Sequence, residues 1–397
     1  MDRPLDLSKT HDSHLHSTYL GRGARTVLTV LMFGAMLAGC ASPTSVKFAR
    51  STFSSLDTET VFVATNRKAI GKSDFDGERG EKIQFSSYAI SIPPIHEVGQ
   101  IEWPRNEPDP AKHFAVIKAQ PFSETAGFKQ HLNVAIDTPG ARTVDGKREA
   151  ILFVHGYNTN FSEGLYRAAQ MKHDFGITSP MTLFSWPSAG KPGLYMYDRD
   201  SVKASRDQLA DVVRMLTNSK AEQVTLVAHS LGTELLMEAL RQMALSNDGR
   251  LPAKVKAVIL ISPDLDIDVF NSQLQVIKTL PRDFMVFVSE KDQALQISSF
   301  LAGDTNRVGN NIDETRIKRD GINVIDVSEF DGGDGLNHMT AITSPSLVSL
   351  LKGMAQSGQR KMLSESGLQT SLSDKLVDTA TLPLTLVVKT TKAILNQ

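Results

Sequence analysis

The pattern of hydrophobic and polar residues changes along this chain at about residue 150. Three segments between residues 61 and 122 carry β-branched or aromatic residues in partial alternation, which predicts strands. They read VFVATNR, IQFSSYAISIP and HFAVIKAQPF. After residue 150 come continuous apolar runs, among them EAILFVHG and VTLVAHS, which are typical of strands buried on both faces of a sheet. A β-rich segment therefore precedes a buried sheet.

Stretches with helical spacing separate the buried strands. Apolar residues recur with the helical period across residues 198–217, and residues 231–245 show the same pattern directly after a strand. This alternation predicts an α/β domain over residues 61–355, with its core at 150–355 and a doubly wound, mostly parallel sheet. The strands at 61–122 are expected to extend the edge of that sheet.

Two segments lie outside this alternation. Residues 301–320 are polar, and we interpret them as either a lid that attracts an anionic substrate or a solvated surface. Their basic residues are Arg307, Arg316, Lys318 and Arg319. Residues 356–397 begin Ser-rich and end in a weakly amphipathic run, which predicts a docked helix or a disordered tail. A helix on a membrane surface is the less favoured alternative.

Composition narrows the classes of function. The 397 residues include 43 Lys and Arg against 44 Asp and Glu, and this balance argues against a protein that binds nucleic acid through bulk charge. The chain has a single cysteine, which excludes an internal disulfide and a site with several cysteine ligands. No uncharged apolar run of 18 residues follows residue 40, so no spanning helix is expected there.

The cysteine ends a segment whose pattern is typical of an export signal: basic residues, a short apolar run, then small residues. Arg22 and Arg25 precede TVLTVLMFGAMLAG, and the tetrad Leu-Ala-Gly-Cys ending at Cys40 resembles a bacterial lipobox. The resemblance implies a signal peptide at 1–39, a lipid on Cys40, and a tether at 40–60. We therefore expect a lipid-anchored protein of the bacterial cell envelope.

A serine stands at the sharpest turn of the alternating region. Ser230 follows the strand 224–229 and precedes the helix 231–245, so it lies at the carboxyl edge of the predicted sheet, where ligands bind. Ala228 and Gly232 flank it, and A-H-S-L-G departs from the usual G-x-S-x-G only in its first residue. Such a serine is either a turn or cap residue or a nucleophile.

A nucleophilic serine at this turn requires an acid and then a histidine later in the chain. Of the ten histidines only His338 follows Ser230, in a glycine-rich loop after the last predicted strand of the domain. A solvated loop histidine is the competing interpretation. Asp292, at the end of a strand, is the preferred acid, and Asp264 and Asp266, one strand earlier, are the alternatives.

Two backbone N–H groups should complete the site as an oxyanion hole. We expect them at Leu231, directly after the serine, and at Tyr157, after the His-Gly turn in ILFVHGYN. Trp186 and Tyr195 are candidates for lining a substrate pocket, and aromatic packing beneath a loop is an equally good interpretation.

Five segments carry a family resemblance: ILFVHGYNTNF, FSWPSAG, VAHSLGTELLMEAL, SPDLDIDVF and GLNHM. They are similar to a bacterial family of lipoprotein-like predicted α/β hydrolases, described as a domain of unknown function. The resemblance covers about residues 60–355 and implies the α/β-hydrolase fold with its catalytic machinery. It implies no particular substrate.

These motifs favour a serine hydrolase that cleaves a small-molecule or lipid ester, of esterase or lipase type, through an acyl-enzyme. No metal or organic cofactor is expected for that reaction. An amidase or acyltransferase would use the same triad, and a catalytically silent lipoprotein that binds or serves as a scaffold is the other alternative. The chain contains no G-x-x-x-x-G-K-[ST] run and no H-E-x-x-H, which argues against a phosphate-cradling enzyme and a zinc hydrolase. No feature indicates an oligomeric state.

Overall fold

The structure is a computed structural model of the chain. It describes residues 44–49, 57–104, 107–303, 306–311, 313–356, 369–371 and 385–391. The predicted signal peptide, Cys40 and most of the predicted tether lie outside the described residues, and the predictions made for them stay predictions. Among the described residues, no helix is both long and apolar enough to cross a bilayer.

One sheet of eleven strands runs through the described part of the chain. In chain order the strands are β1 Thr58–Ala69, β2 Phe75–Ser91, β3 Ala115–Phe122, β4 Glu149–Val154, β5 Met181–Ser185, β6 Gln223–His229, β7 Val255–Ile261, β8 Asp283–Val288, β9 Ile322–Asp326, β10 Gln369–Ser371 and β11 Thr385–Thr390. Across the sheet their order is β10-β11-β9-β8-β7-β6-β4-β5-β1-β2-β3. The strands from β9 to β1 in this order are parallel, and antiparallel ladders add β11 and β10 at one edge and β2 and β3 at the other. The predicted mostly parallel sheet with a β-rich N-terminal extension is confirmed.

Helices cover both faces of this sheet. In chain order they are α1 Thr125–Asp137, α2 Phe161–Asp174, α3 Tyr195–Thr217, α4 Leu231–Leu245, α5 Ile267–Val276, α6 Gln293–Ala302, α7 Thr340–Thr343 and α8 Pro345–Gln356. Apolar residues of α1, α3, α4 and α5 form a core on one face, and those of α2, α7 and α8 form a core on the other. Because successive side chains of a strand point to opposite faces, buried strands such as β4 contribute to both cores.

The register of the central strands determines where the site lies. Parallel β4 and β6 pair Phe153 with Val227 and Val154 with Ala228, so the two strands end side by side. The loop after β4 and the turn after β6 therefore meet at the carboxyl edge of the sheet, where ligands gather in this class of fold.

The C-terminal tail differs from the prediction. Thr385–Thr390 forms β11, which pairs antiparallel with β9, with Val388 opposite Ile325. Val388 is buried. The prediction of a docked helix or a disordered tail is wrong for these residues, because their Thr and Val side chains favour a strand and β9 offers an unpaired edge.

Candidate active site

Ser230 occupies a strained turn between β6 and α4. Its backbone has φ 53° and ψ −130°, and a positive φ is unfavourable for a residue with a side chain. The backbone N–H of Ser230 donates to the carbonyl oxygen of Ile261 at 2.9 Å. The loop after β4 comes very close to this turn. A Cβ on Gly232 would lie 2.3 Å from the carbonyl oxygen of His155, and a Cβ on Gly156 would lie 2.7 Å from Ser230 Cβ. Only glycine fits at both positions.

His338 is held by Asp292. The Nδ1–H of His338 donates to Asp292 Oδ2 at 2.7 Å, and Asp292 Oδ1 accepts from the N–H of Leu295 at the start of α6. Asp292 is fully buried. Burial lowers the pKa of His338, but the hydrogen bond to Asp292 and the charge of that carboxylate outweigh burial, so the pKa is raised above its ordinary value. A proton fixed on Nδ1 leaves Nε2 free to accept one.

The loop that carries His338 lies against the serine turn. His229, the residue before Ser230, donates through Nε2–H to the carbonyl oxygen of His338 at 3.1 Å, and the two rings are 4.7 Å apart. Burial holds the pKa of His229 well below its usual range, so this ring is neutral. Asp334 Oδ2 accepts from the N–H groups of His338 and Met339, at 2.9 Å and 2.8 Å. These bonds determine the path of the loop beside Ser230.

The two expected oxyanion donors lie beside the same turn. Within the described part of the chain, the N–H groups of Tyr157 and Leu231 have no hydrogen-bond acceptor. The next N–H along, that of Asn158, is already used by Asp198 Oδ2 at 3.1 Å. Leu231 begins α4, and the free N–H groups at a helix start favour a developing negative charge.

A cavity of about 260 Å³ opens beside His338. Its walls combine aromatic, aliphatic and charged side chains, a mixture that suits a substrate with both apolar and polar parts. The lining residues are Ile101, Trp103, Phe153, His155, Gly156, Tyr157, Asn158, Thr159, Glu163, Gly164, Arg167, His229, Asp334, Leu336, His338 and Met339.

The sequence profile of one protein family matches this region. It is the profile described as alpha/beta hydrolase of unknown function (DUF900), and it covers residues 140–355, more than half of the chain. This chain belongs to that family of α/β hydrolases. No curated protein sequence matches the chain.

Solved structures of hydrolases are similar to this family member at low identity. An esterase from Pyrobaculum calidifontis is 11% identical, over 55% of this chain and 78% of that one, with a TM-score of 0.32. An esterase from Rhizomucor miehei is 12% identical, over 78% and 86%, with a TM-score of 0.33. A predicted CIB-like hydrolase from Thermoplasma acidophilum is 14% identical, over 54% and 88%, with a TM-score of 0.29. The family assignment therefore depends on the match over residues 140–355.

The two alternative acids of this hydrolase have other partners. Asp264 accepts from the hydroxyl groups of Tyr195 and Ser298, each at 2.9 Å. Asp266 caps α5, where its Oδ1 accepts from the N–H groups of Asp268 and Val269. Neither carboxylate has a described hydrogen bond to His338, whereas the preferred acid, Asp292, has one.

Trp186 and Tyr195 are not among the residues that line the described cavity. Trp186 is fully buried, stacks on His155 at 5.0 Å and donates through Nε1 to the His155 carbonyl oxygen at 2.7 Å. The ring of Tyr195 packs against that of Tyr157, with the ring centroids 5.3 Å apart. Both aromatic side chains therefore pack against the loop after β4, which carries His155 and Tyr157.

One part of the polar insert packs against the rim of the sheet, whereas Asp313, Thr315 and Lys318 are exposed. In residues 306–311, the N–H of Gly309 donates to the carbonyl oxygen of Pro263 at 3.0 Å, and its own carbonyl accepts from Ser289 at 2.9 Å. Arg307 is buried, with Nε 3.3 Å from Asp264 Oδ1. This part of the insert is fixed between the loops after β7 and β8.

A buried arginine, which the sequence did not predict as a site residue, supports the loop after β4. Arg67 of β1 donates to the carbonyl oxygens of Ser188 and Thr159, at 2.8 Å and 2.7 Å, and its Nη2 lies 3.3 Å from His155 Nε2. Burial lowers the pKa of Arg67 to about 10, which still leaves it charged. Burial and this charge lower the pKa of His155 to about 3, so that imidazole is neutral. The only clue in the sequence is a charged residue at the end of the predicted strand VFVATNR.

Proposed function

We propose that this chain is a serine hydrolase that cleaves carboxylic esters through an acyl-enzyme, with Ser230 as nucleophile, His338 as base and Asp292 as the residue that orients the base. The observation that supports this most is the 2.7 Å hydrogen bond from His338 Nδ1 to the buried Asp292, beside a serine held at φ 53°. An orienting carboxylate of this kind keeps the imidazole in the tautomer that a base requires.

In the first half of the reaction, Ser230 Oγ attacks the ester carbonyl carbon while His338 Nε2 takes the hydroxyl proton. The carbonyl electron pair moves onto oxygen, and the N–H groups of Tyr157 and Leu231 donate to the resulting oxyanion. When this intermediate collapses, the bond to the alcohol oxygen breaks. The alcohol leaves with the proton from His338 Nε2, and the acyl group stays on Ser230.

In the second half, water takes the place of the alcohol. His338 Nε2 accepts a proton from the water as its oxygen attacks the acyl carbon, and the same two N–H groups hold the second oxyanion. Collapse releases the carboxylic acid and returns the proton to Ser230 Oγ. Asp292 stays ionised throughout and stabilises the imidazolium that forms twice per turnover.

Labelling by a fluorophosphonate, which reacts with an activated serine, tests the nucleophile. We expect the purified full-length chain to be labelled and the Ser230→Ala variant to be unlabelled. Ser262→Ala is the matched control, since Ser262 is also buried, has a positive φ of 45° and directly follows the neighbouring strand β7. Label on the Ser230→Ala variant, or none on the parent chain, would contradict the assignment.

We further propose that the enzyme acts at the bacterial cell envelope, held there by a lipid on Cys40. The support is the sequence alone: the basic residues, the apolar run and the tetrad that ends at Cys40. Replacing the acceptor, Cys40→Ser, is expected to move the protein from the membrane fraction to the soluble fraction of cells. Equal retention of the variant and the parent chain on membranes would count against the anchor.

A further inference from the structure

A second cluster of chemically active side chains lies away from the candidate active site. His96, in the loop after β2, faces His173 and Asp174 in the last turn of α2. One donor atom from each of the three side chains lies within 4.8 Å of the others. His96 and Asp174 are already in contact, with His96 Nε2 2.8 Å from Asp174 Oδ1. Two imidazoles and a carboxylate at this spacing form a ligand set suited to zinc.

The surroundings orient these groups as they do around bound metals. Metal-binding histidines usually donate the second ring N–H to a carboxylate, which fixes the direction of the other nitrogen. His96 Nδ1 lies 2.9 Å from Glu102 Oε2, so its Nε2 is directed toward the cluster. His173 Nδ1 lies 3.7 Å from Glu59 Oε1. A hydrogen bond to a carboxylate therefore orients His96, and a second carboxylate lies near His173 beyond hydrogen-bond distance.

The carboxylate of Asp174 is held in the same manner. Its Oδ2 accepts from the N–H of Gly99 at 2.7 Å and from Gln170 Nε2 at 2.6 Å, which leaves Oδ1 directed at His96. The side chain of Asp174 is fully buried. Fixed orientation of this oxygen lowers the entropic cost of binding an ion.

The cluster has access to solvent and a negative environment. A cavity of about 370 Å³ is lined by all three side chains, together with Asp57 and Lys352 among others. The four carboxylates of Asp57, Glu59, Glu102 and Asp174 outnumber the three described cations nearby, Lys172, Lys352 and Arg167. The three ligands also lie at the carboxyl end of α2, where the helix dipole favours a cation.

We propose that His96, His173 and Asp174 bind one divalent cation of the zinc type, with water from the cavity in the fourth position. The ion takes the place of the proton now shared between His96 Nε2 and Asp174 Oδ1, and that proton leaves to solvent. The site joins the loop after β2 to α2. Because Ile101 and Trp103 of this loop line the cavity beside His338, the ion stabilises a wall of the candidate active site. The proposal is independent of hydrolysis.

Zinc binding to the full-length chain tests the site. The N-terminal sequence HDSHLH would bind zinc on its own, so every chain carries His11→Gln, His14→Gln and His16→Gln. After removal of metal with EDTA, titration with zinc chloride is expected to show one ion per chain and a melting temperature that rises with zinc concentration. Magnesium chloride should leave the melting temperature unchanged, because magnesium prefers oxygen ligands.

Three variants distinguish the proposed site from adventitious binding. His173→Gln, at a side chain 31% exposed, should fold as the parent does without metal and should bind zinc at least 100-fold more weakly. Glu102→Gln should weaken binding by about 10- to 100-fold, as expected for a group that orients a ligand. His131→Gln, at an exposed histidine of α1, should bind zinc as the parent does. Absence of stoichiometric zinc, or full affinity in His173→Gln, would overturn the proposal.

Discussion

Asp292→Asn is expected to lower kcat for a short-chain aryl ester by about 10⁴-fold without unfolding the protein. The amide oxygen of asparagine can still accept from the N–H of Leu295 and cap α6, as Asp292 Oδ1 does. The amide NH₂ then faces His338 Nδ1, which must become an acceptor. The ring proton moves to Nε2, and the imidazole can no longer take a proton from Ser230.

The same variant should change the pH dependence of kcat/KM. The imidazole acts as a base only when neutral, and Asp292 raises the pKa of His338 above its ordinary value of 6.5 against the opposing effect of burial. In the parent enzyme, activity should therefore fall as pH drops through a value above 6.5. In Asp292→Asn that acidic limb should lie at lower pH, because the charge that favours the imidazolium is gone.

Asp264→Asn is the matched control for this prediction. Asp264 is equally buried at the end of the neighbouring strand, but its oxygens accept from Tyr195 and Ser298. We expect it to lose less than about tenfold in kcat, since it removes no bond to the catalytic imidazole. A larger loss in Asp264→Asn than in Asp292→Asn would make Asp264 the acid and refute the assignment.

Gly232→Ala is expected to disrupt the site through the backbone. The added Cβ would lie 2.3 Å from the carbonyl oxygen of His155 and 2.9 Å from that of Val154, so the loop after β4 must move. This loop carries the Tyr157 N–H, and loss of one oxyanion donor costs about 10²- to 10³-fold in kcat. Overpacking should also lower the free energy of unfolding by about 1–3 kcal/mol. Steady-state kinetics and urea denaturation measure the two effects.

Gly127→Ala provides the comparison for that variant. Gly127 also lies in the first turn of a helix, α1, and a Cβ there would meet Phe122 Cδ1 at an ordinary 3.7 Å. We expect unchanged kcat and a free energy of unfolding equal to or about 0.5–1 kcal/mol above that of the parent chain. If Gly232→Ala matched this control in both measurements, the close packing at the serine turn would have no functional consequence.

Much of the fold could be read from local pattern. Continuous apolar runs and helical spacing are local properties, and together they predicted the parallel sheet of residues 150–355. Helices α1, α2, α6 and α7 were not predicted. The short α6 follows its cap residue, Asp292, which the sequence analysis interpreted as a catalytic acid and not as a helix cap. The tail strand β11 was missed because its stability comes from pairing with β9, some 60 residues earlier in the chain.

By itself the sequence determined which side chains could be the nucleophile and the base. Ser230 stands at the turn between a buried strand and a helix, and His338 is the only histidine after it. The choice of acid was open, because Asp264 and Asp292 both follow parallel strands and such strands end at one edge. Only the paths of the loops decide which carboxylate reaches the imidazole, and those paths depend on contacts between distant segments. The contacts of Arg67 with the loop after β4 and the cluster at His96 likewise join distant segments of the chain, so the sequence did not indicate them.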